Sequence, residues 1–233
     1  KSNTVAKLLE LIGQHPKAKV ILIDATGEYT NLENCQTYYV GNNDKATISN
    51  KLTFPYWELS DTDLFALLRP SPQVQYPKLV DAIQSLKAAS CYNEEYPEKP
   101  ITGFLKSQQN KSIYYGWVAK IAESTRWNFK FLAEQIGYEC VWPTGGNSSN
   151  PNLSIFGGES LNDLGHCQTL IGRVKVISRN QYLKWLIIDP NDTSSETVKQ
   201  KLQQFITGPQ GGIFRLDVSA VPFEANAREI LVN

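Results

Sequence analysis

The 233-residue chain carries 23 Lys and Arg against 23 Asp and Glu, a formal net charge of zero, and 41% of its residues are hydrophobic. That is enough apolar mass for a real core in one or two domains, and it excludes a chain-wide basic field that would hold nucleic acid or a membrane surface unaided. The longest apolar stretches, such as Val20 to Ile23, fall far short of the ~20 residues a membrane span needs, so a cytoplasmic protein with no membrane partner is expected.

Four cysteines, Cys35, Cys91, Cys140 and Cys167, are widely spaced with no CxxC pair, and His15 and His166 complete no zinc pattern. Free thiols in a reducing compartment are expected. Methionine is absent even at position 1, from which a cut piece of a longer chain is expected.

Along the chain, Val5, Leu8, Leu9, Leu11 and Ile12 have helical spacing and are stopped by Gly13 and Pro16, predicting a helix over 5–14. Lys19-Val-Ile-Leu-Ile-Asp24 is a continuous β-branched run ending in a carboxylate, the pattern of a parallel strand covered on both faces. A short strand is predicted over 37–40, and Ser60-Asp-Thr-Asp63 caps a helix running to Leu68. A helix follows over about 73–89, then a polar surface loop over 90–112 containing Pro97 and Pro100. Residues 114–138 predict one long helix or two short ones packed by aromatic residues.

Thr144 to Pro151 predicts a flexible loop, and helices are expected over 162–176 and 195–206, with 182–188 either strand or helix. Gly211-Gly-Ile-Phe-Arg-Leu-Asp217 predicts a returning strand, followed by a helix over 223–231 opened by Pro222. The α/β signal therefore sits at both ends, with a mainly helical middle. The expected organisation is a first core segment over 1–59, a helical insertion over 60–207 and a return to the core over 208–233.

Lys1-Ser2-Asn3-Thr4 stands directly before the first helix and would complete a GxxxxGK[ST] loop if glycines preceded it. In such a loop the lysine ammonium neutralises phosphates, the hydroxyl ligates magnesium, and the helix amino end adds partial positive charge. At the right distance downstream comes Asp24-Ala-Thr-Gly-Glu28-Tyr29. The two together resemble the HerA/FtsK superfamily of ring-forming ATPases, where GKSN-T enters the first helix and D-x-x-GEY closes the neighbouring strand. Leu52-Thr-Phe-Pro-Tyr-Trp57 with Leu64 to Leu68, Gln75-Tyr-Pro-Lys-Leu79, and Ile213 to Ser219 with Glu224 and Arg228 are similar to further segments of that family.

The resemblance implies a RecA-like P-loop NTPase core, ATP and Mg2+ as ligands, and a homo-oligomer, with a hexamer expected. Lys1, Ser2, Asn3 and Thr4 would bind the nucleotide, Ser2 and Asp24 would lie at the magnesium, and Glu28 with Asp24 would face the attacking water. It also implies a helicase or DNA translocase acting in DNA-end processing or antiphage (antiviral) defence. The alternative is an oligomeric platform that positions an effector nuclease or NADase without moving DNA. The family's Walker B pair and arginine finger are expected beyond Asn233, so the chain by itself is expected not to hydrolyse ATP.

Structural readings stand beside these. Asp24 can cap the loop after its strand, and Glu28 can pair with a basic neighbour. Trp117, Trp127, Phe129, Phe131 and Trp142 fit core packing better than a base-stacking platform, while Arg173, Lys175, Arg179 and Lys184 form the most basic stretch.

Overall fold

A computed structural model describes residues 2–147, 149–192, 194–222 and 227. The chain divides into two units, residues 1–67 with 181–233, and residues 68–180.

The first unit is built on three strands, β1 (Lys19–Asp24), β2 (Cys35–Tyr39) and β5 (Gly212–Asp217). They form a parallel sheet in the order β1-β5-β2, so the last strand in sequence inserts between the first two. All six β5 residues are buried, as a central strand of a covered sheet requires. β1 differs from expectation. It lies at an edge of this sheet, with Ile21 49% and Ile23 39% exposed, so only one of its faces is covered among the described residues.

Helix α1 (Ser2–Gly13) packs on β1 and β5. A Cβ on Gly13 would meet the Ile213 side chain at 3.2 Å, and the Gly13 carbonyl accepts from Asn34, just before β2. The carboxyl end of α1 therefore sits at the amino ends of the strands. A 12-residue helix spans about 18 Å and a six-residue strand about 20 Å, so α1 and β1, joined by the short 14–18 turn, return the chain to its starting level. The amino end of α1 and Asp24 lie at the same end of the sheet.

The opposite sheet face carries Phe214, stacked on Tyr38 at 4.9 Å and near the Phe205 ring at 5.6 Å. Phe205 belongs to α7 (Val198–Thr207), which opens with a complete Thr197/Gln200 capping box. Beyond β2, residues 50–52 exchange backbone hydrogen bonds with Tyr39, and the 53–56 segment continues onto Trp185, Leu186 and Glu196. Residues 181–183 form a single 3-10 turn, and the rest of 182–188 is neither strand nor helix. Helix α2 (Asp61–Leu68) starts at Ser60, whose hydroxyl accepts from the Asp63 amide at 3.2 Å.

The second unit is mainly helical, with α3 (Gln75–Glu95), α4 (Lys111–Val118), α5 (Leu132–Tyr138) and α6 (Leu161–Arg179). α3 extends through the first part of the polar stretch expected as a loop, where half-buried Tyr92 packs edge-on against Trp117 at 5.1 Å. The region expected as one or two helices forms two, α4 and α5. Residues 144–151, expected as a flexible loop, instead supply most of a short antiparallel hairpin, β3 (Gly145–Asn147) with β4 (Asn150–Asn152). The helix expected over 223–231 falls outside the described residues apart from Ala227. Trp127 and Phe129 are buried and stacked at 5.9 Å, and Trp142 is exposed.

Candidate nucleotide site

In open parallel α/β sheets, ligands bind beyond the carboxyl ends of the strands. Three loops meet there in this unit, following β1, β2 and β5. Val40 N–H donates to the Asp217 carbonyl at 3.1 Å and Val218 N–H to the Asp24 carbonyl at 3.0 Å, so the three strand ends are tied at one level. Gly41, with φ +87°, lets the β2 loop pass the Ala220 backbone, which a Cβ would meet at 3.2 Å.

The register places Asp24 opposite Asp217, two carboxylates on neighbouring strands. Each is 1% exposed, and such a pair is costly without a counter-charge. Arg215 supplies it. Two residues before Asp217 and on the same strand face, it donates through Nε and Nη2 to Asp24 Oδ2 at 2.9 and 2.7 Å. Nη2 also reaches Asp217 Oδ2 at 2.9 Å, while Asp217 Oδ1 accepts from the Ser219 amide at 3.0 Å and hydroxyl at 2.6 Å. The cluster holds two anions and one cation.

Asp24 also organises the loop that follows it. Its Oδ1 accepts from the Gly27 amide at 2.8 Å and from the Thr26 amide and hydroxyl at 3.2 and 3.3 Å, and its Oδ2 accepts from the Tyr29 amide at 3.1 Å. Burial pushes the Asp24 pKa up, but the Arg215 hydrogen bonds and the Tyr29 and Gly27 amides outweigh it and hold the carboxyl below its ordinary value. Gly27 adopts φ +75°, and a Cβ there would stand 3.0 Å from the Ser219 hydroxyl, so the β1 and β5 loops are in close contact.

A carboxylate offers about four lone-pair directions, and Asp24 already receives donors from Thr26, Gly27, Tyr29 and Arg215. Its geometry is that of the loop cap. Glu28 projects from the capped loop as an exposed side chain. Asn3 and Thr4 are exposed in the first turn of α1, Ser2 begins that helix, and Lys1 lies outside the described residues. Among the described residues no group of three or more His, Cys, Asp and Glu could hold a metal ion.

The structure thus brings the first turn of α1, the 24–29 loop and the 217–219 loop to one end of the sheet. The model of the family described as the central domain of helicase HerA matches residues 1–130, more than half of the chain. The chain belongs to the HerA central-domain family. That makes it a domain of HerA/FtsK-type ATPases, a family of ATP-binding P-loop proteins that are usually oligomeric. The match includes α1, β1, the Asp24 loop and β2 of this HerA-type domain, and it stops before β5. A comparison with curated proteins finds no match.

Arg215 escaped the sequence reading, although a signal for it was present. A charged residue interrupts the apolar Ile213-Phe-Arg-Leu216 run, and it alternates with Asp217 so that both face the same side. The basic stretch has a structural use at one position: Arg173 donates to the Leu68 and Arg69 carbonyls at the end of α2. No described helix is long and apolar enough to cross a membrane.

Proposed function

We propose that this HerA-type domain belongs to a RecA-like core that binds MgATP at the amino end of α1 and acts in a ring-forming DNA translocase. The observation that carries the reading is the placement of that helix end and the Asp24 loop at the same carboxyl end of a parallel sheet. A helix amino terminus presents free N–H groups and partial positive charge to phosphate, and Lys1, Ser2, Asn3 and Thr4 are suited to that contact by residue type.

Bound magnesium would neutralise the triphosphate. Ser2 would supply a hydroxyl ligand to it, with water and phosphate oxygens filling the other positions. Asp24 shapes the 25–29 loop through the Thr26, Gly27 and Tyr29 contacts, and this capped loop would hold Glu28 toward the nucleotide side. Glu28 would orient water there. Translocation along duplex DNA, a hexameric ring and a task in DNA-end processing or defence rest on the family alone.

Titrating the purified protein with MgATP tests the reading. A saturable rise in stability is expected, about 2.7 kcal/mol at a hundredfold excess over Kd, with loss of that rise in Lys1→Ala. A MgATP response equal to that of magnesium alone would remove the nucleotide site from this end of the sheet. In the full-length protein, DNA-stimulated hydrolysis with strand movement would support the motor; nucleotide-dependent activity of an effector enzyme without movement would support the platform.

A further inference from the structure

Strand β2 lies at one edge of the β1-β5-β2 sheet, and the nucleotide reading makes no use of that edge. Along a strand, the backbone groups of successive residues point alternately to its two sides. The Asn34 carbonyl and the Val40 amide turn inward, to Ile213 and Asp217 of β5, whereas the Tyr39 amide and carbonyl turn outward, to Asn50 and Leu52, each at 2.9 Å. Cys35 and Thr37 share the phase of Tyr39, so their amides and carbonyls also point outward. No described group pairs with them. Residues 50–52 meet the edge at Tyr39 alone, because the Asn50 and Lys51 amides bond back to the Thr47 carbonyl at 3.2 and 3.0 Å and close a turn immediately before it. Free strand edges are ordinarily blunted by charge, proline or a bulge. Cys35-Gln-Thr-Tyr-Tyr39 has no charge and no proline, and it pairs with β5 in unbroken register.

Beside this edge a groove of about 190 Å³ runs between β2 and α7, lined by Gln36, Tyr38, Lys201, Gln204, Phe205 and residues 208–211. Its frame is fixed. Phe214 supports both Tyr38 and Phe205, at 4.9 and 5.6 Å between rings, and Lys19 of β1 donates to the Ile206 and Gly208 carbonyls at the end of α7. No carboxylate lines the groove, and Lys201 is paired with Glu196 at 2.8 Å, so the groove offers no unopposed charge. It offers aromatic rings and amides instead. The side-chain amides of Gln204 and Gln210 have no partner among the described residues.

We propose that the outer edge of β2 and this groove form a docking site for an extended, uncharged peptide segment of a partner protein, which joins the sheet as an added strand. The Cys35 and Thr37 amides and carbonyls supply its main-chain hydrogen bonds, continuing the ladder that residues 50–52 begin at Tyr39. A side chain of the added strand that faces α7 stands beside Gln36 and Tyr38, about 5 Å from them, and enters the groove. In strand addition the main chain gives affinity and such a pocket gives specificity. The aromatic walls and unpartnered amides select one aromatic side chain with a hydrogen-bonding tip, tyrosine foremost, while a charged side chain would be desolvated there without a counter-charge. The groove lies on the sheet face opposite α1, so the proposal does not rest on the nucleotide site.

The test titrates the purified protein with the capped pentapeptide Thr-Val-Tyr-Val-Thr, read by calorimetry and amide hydrogen exchange. At a free peptide concentration ten times Kd, the Cys35 and Thr37 amides should exchange about tenfold more slowly. Thr37→Pro removes an outward donor and leaves the β5 ladder alone, and it should weaken binding about tenfold. Gln204→Trp, at an exposed position, should close the groove and weaken binding as well, which keeps the question answerable if the proline variant does not fold. A peptide with alanine or glutamate in place of tyrosine should also bind more weakly. Absence of binding, binding unchanged in Thr37→Pro and Gln204→Trp, or protection away from β2 would each overturn the proposal. A concentration-dependent dimer that protects this edge and is dissolved by Thr37→Pro would overturn it too, since the occupant would then be a second copy of the chain.

Discussion

Arg215 places two guanidinium nitrogens on a single oxygen of Asp24, at 2.9 and 2.7 Å, inside a site where neither residue is more than 1% exposed. Asp217 lies level with Asp24 on the next strand, and the same Arg215 Nη2 reaches it. The arginine thus allows two acids to lie side by side at the ends of β1 and β5. Through Asp24 it also fixes the amides of Thr26, Gly27 and Tyr29.

Removing the cation should therefore cost more than the loss of a surface ion pair. Arg215→Met strands two buried carboxylates, and breaking such a cluster costs about 3–5 kcal/mol. Urea unfolding should report a loss of this size, while Asp24→Asn/Arg215→Met should lose less than the sum of its single changes. Additive losses would mean that the two side chains do not act as a pair.

Acid stability should carry the signature of the same contact. The folded state holds Asp24 below the unfolded carboxyl value of about 3.9, so it binds the proton more weakly than the unfolded chain. The stability from this group is present above that value and is lost as pH falls through the lower folded value. The urea midpoint should fall on acidification below about pH 4, and the fall should be shallower in Asp24→Asn, measured over the same buffers.

The same strands show how far sequence patterns reach. The Lys19–Asp24 run and the Gly211–Asp217 run announce strands by composition alone, and Ser60 and Thr197 announce their helices by capping. What local pattern cannot convey is that β5 inserts between β1 and β2, since that pairing joins residues nearly two hundred positions apart. Without the pairing, Arg215 has no visible partner and Asp24 has two open roles. The 144–151 hairpin was hidden for a different reason: Gly145, Gly146, Asn147 and Asn150 have loop propensities, and the ladder is held by backbone contacts of Gly145 with Asn152 and Ile155.

In the helical unit, Lys106 and Glu139 form a buried ion pair at 2.5 Å, with the other Glu139 oxygen accepting from Ser85 at 2.6 Å and Gln135 at 2.7 Å. Lys106 also sits over the Tyr114 ring at 4.1 Å. Lys106→Met should destabilise by about 3–5 kcal/mol because Glu139 is left buried and unpaired. Lys106→Met/Glu139→Gln should recover part of that loss in the same denaturation assay, as an amide keeps much of the hydrogen bonding without the charge.

Gly27 offers a narrower probe of the 25–29 loop. Its φ of +75° costs an alanine about 1–2 kcal/mol, and the added methyl would press on the Ser219 side chain at 3.0 Å. Gly27→Ala should lower stability by that amount, and Ser219→Gly in the same background should relieve the contact portion only. Full relief by Ser219→Gly would assign the glycine to crowding alone.

Asp24 and Glu28 should separate when nucleotide is added. Asp24 is buried, and its oxygens are consumed by Arg215 and the loop amides, so its effect on ligand passes through the shape of the loop. Glu28 is exposed and lies on the loop that Asp24 holds. Asp24→Asn weakens the charged contacts to Arg215 and the loop, and it should lower both protein stability and the stabilisation that MgATP adds. Glu28→Gln leaves the cap intact, so it should keep stability and MgATP stabilisation near the parent values while removing a carboxylate able to orient water. Loss of nucleotide stabilisation in Glu28→Gln with no loss in Asp24→Asn would reverse these roles, making Glu28 the binding group and the Asp24 cap irrelevant to ligand.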